Sequence, residues 1–122
     1  MARPVHFEIP VDDPDRAEEF YRDVFGWTIN RFEGAPQYYG LADTGDSLPG
    51  INGGLYRRGP DSGITLNMGV ESVDAAVASV LAHGGELVTE KSPIPGMGWF
   101  AMCLDSEGNT IGVFEEDPTA TM

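Results

Sequence analysis

The sequence predicts an α+β fold in which two βαβββ modules form a curved eight-stranded mixed sheet around a cleft. Three observations predict it. Val5, Phe7 and Ile9 alternate with His6 and Glu8, the period of a strand, and a capped helix follows at once. The same grammar of strand, helix and three further strands then recurs in the second half, and internal repetition of this kind takes precedence over other readings. The length of 122 residues and a hydrophobic content of 41% suit one compact domain with a buried core. A single domain is expected over 1–122, with module one at 1–58 and module two at 63–117.

In module one, the strand 5–10 is broken by Pro10 through Pro14. Asp13 is a suitable N-cap, with Pro14 at the first helical position. Ala17, Phe20, Tyr21 and Val24 recur at helical spacing, and Gly26 ends the helix. Strands are read at 28–32, 37–42 and 51–58, with the polar loop 43–50 between the last two. The join falls in 58–63. Module two opens with a strand at 64–70. Its helix runs through Ala82 with Ser72 as N-cap, and Gly84-Gly85 ends it. Strands follow at 86–90, 99–104 and 110–115, and the tail after Glu115 is expected to fray.

Charge is the strongest compositional signal. Seven Lys and Arg face twenty Asp and Glu, for a formal net charge of −13. Such a chain repels nucleic acid and anionic membranes. It is an acidic protein in the ordinary sense, or one adapted to high salt, where its self-repulsion would be screened. No apolar run approaches the roughly 20 residues of a membrane span. No basic, apolar leader is read, so a cytoplasmic location is expected. Cys103 is the single cysteine, which excludes an intrachain disulfide and a cysteine zinc site.

The order and spacing of several short motifs resemble the vicinal oxygen chelate superfamily, which includes glyoxalase I, bleomycin-resistance proteins and extradiol dioxygenases. The motifs are His6, Asp12-Asp13, Phe20-Tyr21 and Phe25-Gly26 in the first half. In the second they are Val73-Asp74-Ala75-Ala76, Gly84-Gly85 and Asp105-Ser106-Glu107-Gly108-Asn109, with Ser106 where the family usually has Pro. Pro49 through Gly54 and Ile94 through Trp99 resemble a glyoxalase-like branch of uncharacterised members. The resemblance implies the glyoxalase/bleomycin-resistance/dioxygenase fold. For the metal enzymes it also implies ligands on the first, fourth, fifth and eighth strands. Those positions match His6, Gly53, Thr65 and Gly112. Glycine offers no ligand and threonine a poor one, while a catalytic metal usually takes three protein ligands. The fold is therefore expected to transfer and the metal chemistry is not.

The candidate site follows from period two. If His6 faces the cleft, so does Glu8. The matched positions place Leu55 and Arg57 inward on the fourth strand, Asn67 on the fifth and Phe114 on the eighth. Trp99, Ala101 and Cys103 share one face of the seventh strand, and Trp99 is placed beside the cleft. His6, Glu8, Leu55, Arg57, Asn67, Trp99 and Phe114 are thus the expected ligand-binding residues, with His6 as the weak candidate for a metal. His6 reads as a neutral hydrogen-bonding histidine, as a structural one, or as a metal ligand with Glu8 completing a partial site. The glycines at 53 and 112 either floor a pocket or only let strands approach closely. Cys103 reads as a packing residue rather than a nucleophile.

The leading expectation is a superfamily member that binds a small organic molecule in the cleft without the usual metal and without a cofactor. The alternative is a lyase, isomerase or dioxygenase-type enzyme with a divergent divalent-metal site or metal-free His/Glu chemistry. The missing ligands weigh against catalysis, and fold alone decides nothing, because one fold hosts both classes. Each module leaves a sheet edge, and relatives of this length commonly pair, so a homodimer is expected.

Overall fold

A computed structural model describes residues 2–121. The chain divides into two units, residues 6–64 and residues 65–121 taken with 2–5. The first contains most of β1 (Arg3–Val11), α1 (Pro14–Phe25), β2 (Thr28–Arg31), β3 (Tyr39–Asp43) and β4 (Asn52–Arg57). The second contains β5 (Thr65–Gly69), α2 (Val73–Ala82), β6 (Glu86–Ile94), β7 (Gly98–Leu104) and β8 (Thr110–Glu116). Each unit is a βαβββ module.

In module one the strands are ordered β2-β3-β4-β1, with β1 parallel to β4 and the other neighbours antiparallel. The helix is set by its ends. The Asp13 side chain accepts from the Arg16 amide at 3.2 Å, and Pro14 takes the first turn, where its missing N–H costs nothing. Gly26 closes the helix at φ 75°, and its amide donates to the Arg22 carbonyl. The helix presents Tyr21, which stacks on Trp27 at 4.7 Å, and Trp27 packs on Phe7 of β1 at 5.3 Å. One face of this sheet is therefore the helix-covered face, and Phe7 marks it.

Module two repeats the arrangement in the order β5-β8-β7-β6, with β5 parallel to β8. Ser72 caps α2 by accepting from the Ala75 amide at 3.1 Å. Val73, Ala101, Cys103 and Val113 form the core against α2, with Val77, Val80 and Trp99 packed around them. The helix ends at Ala82, as read, with His83 at the cap and Gly84 at φ 92°.

Several boundaries differ from expectation, among them β1, which runs Arg3–Val11 through Pro10, and β3, which starts at Tyr39. β6 continues to Ile94, held by pairing with β7 across two register shifts. The tail does not fray over its described length. Asp117 donates its amide to the Met97 carbonyl at 2.9 Å, the Gly96 amide donates to the Ala120 carbonyl at 3.0 Å, and Ala120 is buried. Short alternation stops at Glu115, so sequence period carried no sign of these turn bonds.

Candidate functional site

Strand pairing decides which side chains share a face, because directly paired residues point to the same side. His6 pairs with Asn52, Phe7 with Gly53, Glu8 with Gly54 and Ile9 with Leu55. His6 and Glu8 therefore share their face with Asn52, Gly54 and Tyr56. Gly53, Leu55 and Arg57 lie on the Phe7 face, under α1. This corrects the expected placement of Leu55 and Arg57 beside His6. Leu55 is fully buried in the core, and Arg57 reaches the Asp12 carbonyl at 3.4 Å. A Cβ at Gly53 would overlap the Phe7 ring, so this glycine serves packing and is no floor for the His6 site.

On the His6 face the structure adds a residue that sequence did not single out. Tyr39 of β3 pairs with Tyr56, so it too lies on this face. Its hydroxyl is 2.7 Å from His6 Nε2. Burial first, and then the Glu8 charge on the same face, push the Tyr39 phenol far above its ordinary value. A Cβ at residue 54 would overlap the Tyr39 hydroxyl. Gly54 is thus the space that lets the phenol reach His6. The paired glycines have opposite tasks, one under the Phe7 ring and one under the Tyr39 hydroxyl. That adjacency of two glycines opposite an aromatic-rich strand was the available signal.

Burial holds the His6 imidazole below its ordinary 6.5, with the Glu8 charge partly opposing. An unfolded His6 takes up its proton near 6.5, while the folded one does so only at lower pH. Below about 6.5 the unfolded state binds more protons, so stability falls as pH drops through that window and is level above it. Chemical denaturation between about pH 7.5 and about pH 5.5 should therefore show a steeper loss in the wild type than in His6→Gln. Equal slopes would show that His6 is not desolvated in the fold.

Module two has its own sorted faces. Asn67 pairs with Gly112, where a Cβ would overlap the Asn67 Oδ1, and Phe100 pairs with Phe114. Thr65, Asn67, Gly112, Phe100 and Phe114 share the face away from α2, and Thr65 and Asn67 are buried. Trp99 is on the other face. It packs with the α2 core, donates its indole N–H to Asp117 Oδ2 at 3.0 Å and lies 4.8 Å beneath the Lys91 ammonium. Trp99 and Phe114 therefore do not share a face, which corrects the placement of Trp99 beside a ligand. Every residue of β7 after Gly98 is apolar, so alternation could not tell its faces apart. Cys103 is fully buried in the same core, and burial pushes its thiol up, away from the thiolate a nucleophile needs.

A family model described as bleomycin resistance protein-like N-terminal matches residues 3–37. A lactoylglutathione lyase of Haemophilus influenzae is 32% identical over 125 residues, which cover 93% of this chain and 84% of that protein. The chain belongs to the vicinal oxygen chelate superfamily.

A Mycobacterium tuberculosis member of the superfamily, provisionally named a glyoxylase, is 31% identical over 91% of this chain. The chain spans 43% of that relative's length. Among solved structures, a methylmalonyl-CoA epimerase of Mycobacterium tuberculosis superposes with a TM-score of 0.69 at 22% identity, covering 94% of this chain and 88% of its own. A hypothetical protein of Bacillus halodurans superposes with a TM-score of 0.73 at 16% identity, covering 99% of each. These two share the fold.

The superfamily's metal enzymes supply a ligand from the fourth strand on the His6 face. Corrected for register, that place falls at Gly54, which like Gly53 has no donor atom. His6 and Glu8 are the candidate ligands of module one, and His6 Nε2 is already engaged by the Tyr39 hydroxyl. Among the described residues, no three His, Cys, Asp or Glu side chains gather where they could hold a metal ion. The residues present do not fit the divalent ion of this superfamily's enzymes. Among the described residues, no helix is long and apolar enough to cross a membrane.

Proposed function

We propose that this protein binds a small organic molecule on the face of module one that carries His6, Tyr39 and Glu8, by hydrogen bonding rather than through a metal. The observation that supports this reading is the 2.7 Å contact between His6 Nε2 and the Tyr39 hydroxyl, on the face that also carries Glu8. A half-buried imidazole kept neutral offers a directional partner without the cost of a buried charge. The match to a bleomycin-resistance-type family model suggests the kind of cargo such a face takes. A second reading is a lyase using metal-free His6 and Glu8 chemistry, and the 32% identity to a lactoylglutathione lyase favours it over other reactions.

Two probes separate them. Metal-free bleomycin and lactoylglutathione are titrated into labelled protein while backbone amide shifts are followed. Binding should move the amides around His6, Tyr39 and Gly54 and survive a chelator. His6→Ala should weaken it by about 1 kcal/mol, the size of one neutral hydrogen bond. Turnover of lactoylglutathione with chelator present would favour the lyase reading. Binding or turnover that appears only with added divalent metal would overturn both.

A further inference from the structure

We propose that Asn52 is a specificity-determining residue of the His6 face, and that it selects a ligand carrying an uncharged oxygen acceptor, such as an amide or ester carbonyl. The inference rests on the proposed function, because it names what that same face recognises beyond His6.

Asn52 is the direct strand partner of His6, so the two side chains leave neighbouring strands on the same side. Its amide is oriented by Thr44, the residue that follows β3. The Thr44 backbone N–H lies 2.9 Å from one end of that amide. A backbone N–H can only donate, so this end is the oxygen, Oδ1. The Thr44 hydroxyl shares its proton between the same Oδ1 at 3.1 Å and the Ile51 carbonyl at 2.7 Å. Thr44 is itself held, since the Asp43 side chain before it accepts from the Gly45 amide at 2.9 Å. The NH2 end is the one not spent on Thr44, and among the described residues no group accepts from it. Asn52 is exposed, so both N–H groups are open to a ligand. A donor pair fixed in advance loses little freedom when a ligand binds.

The surrounding charge decides which acceptor fits. Tyr39, Leu41 and Asp43 alternate onto one face of β3, so the Asp43 carboxylate is on the His6 face. Glu8 of β1 is on it as well. The whole chain carries a formal charge of −13. An incoming carboxylate meets these like charges, whereas a carbonyl oxygen takes the two N–H groups without that repulsion. Neighbouring strands lie about 4.8 Å apart, so a ligand of a few heavy atoms can touch His6 and Asn52 together.

The first test needs no ligand. In unliganded protein labelled with ¹⁵N and ¹³C, a scalar coupling should run from the Thr44 amide nitrogen across the hydrogen bond to the Asn52 side-chain carbonyl carbon. Its absence means that the amide is reversed or mobile, and overturns the proposal whether or not any variant folds. The second test uses ligands with chelator present. Lactoylglutathione should shift the Asn52 side-chain NH2 resonances, and succinate, whose oxygens are all carboxylate, should leave them in place. Asn52→Asp keeps an oxygen for the Thr44 amide and replaces both donors by an acceptor, so it should weaken lactoylglutathione binding about tenfold. Three results each overturn this proposal and leave the proposed function standing: wild-type binding with the Asn52 NH2 unmoved, equal affinity in a folded Asn52→Asp, or an equal shift with succinate. If neither lactoylglutathione nor metal-free bleomycin binds the wild type, the proposed function falls and this proposal falls with it.

Discussion

Leu55→Ala is expected to lower the unfolding free energy by about 3 kcal/mol, within the range of about 2–5 kcal/mol for a buried Leu truncation. Leu55 is fully buried on the helix-covered face of module one, between Ile9 on β1 and Gly40 on β3. Truncation removes three carbons from a close-packed site whose neighbours are fixed by strand pairing, so the cavity collapses poorly. A domain with about 5–15 kcal/mol in hand loses a large share of it. The same variant distinguishes core from cleft. Placed in the core, Leu55 affects stability while ligand affinity per folded molecule stays unchanged. Urea denaturation with the titration of the two probes reads both. A stable variant with weakened binding would return Leu55 to the cleft.

Gly98→Ala should be nearly as costly, about 3 kcal/mol, the upper end of overpacking changes. A Cβ at Gly98 would overlap the Glu115 carbonyl of β8 and meet the Phe114 ring at 2.8 Å. A ring tip can turn aside, but a carbonyl in a sheet ladder cannot move without its strand. The β7–β8 pairing that begins at Gly98 opposite Glu116 must therefore open at that end. Because Asp117 bonds both Met97 and Trp99 just beyond, the loss should spread into the tail. Amide exchange should show Asp117 and Ala120 deprotected in Gly98→Ala. A variant within about 0.5 kcal/mol of wild type, the range of ordinary surface changes, would mean that this strand end is already loose.

The elements were legible because their signals are local. Asp13 with Pro14, Ser72, and the glycines after each helix announce helix ends through backbone chemistry that needs no tertiary context. The faces were legible only where polarity alternates. On β1, His6 and Glu8 stand out against Phe7 and Ile9, and both belong to one face as read. On β4, Asn52-Gly53-Gly54-Leu55 gives no alternation, and a slip of one residue moves every side chain to the other face. That slip put Leu55 and Arg57 beside His6, when the register pairs His6 with Asn52. On β7 the two faces are equally apolar, and only packing on α2 assigns Trp99. In module two, Asn67, Gly112 and Phe114 were read onto one face, and they share it.

Tyr39 was missed for a different reason. Tyr38 and Tyr39 are adjacent and chemically identical, so composition cannot say which one is turned to His6. Tyr38 donates to Glu18 of α1 at 2.7 Å on the helix side, which leaves Tyr39 for the other face. The choice is made by the helix, across twenty residues of chain, and no local pattern carries it.

The central claim is that His6 is partnered by the Tyr39 hydroxyl rather than by a metal ion. Elemental analysis of protein purified without chelator tests it most directly. The account predicts far less than one divalent ion per chain, and a melting temperature unchanged by chelator. One tightly held ion per chain, lost in His6→Ala, would contradict it and return the protein to the metal-dependent members of its superfamily.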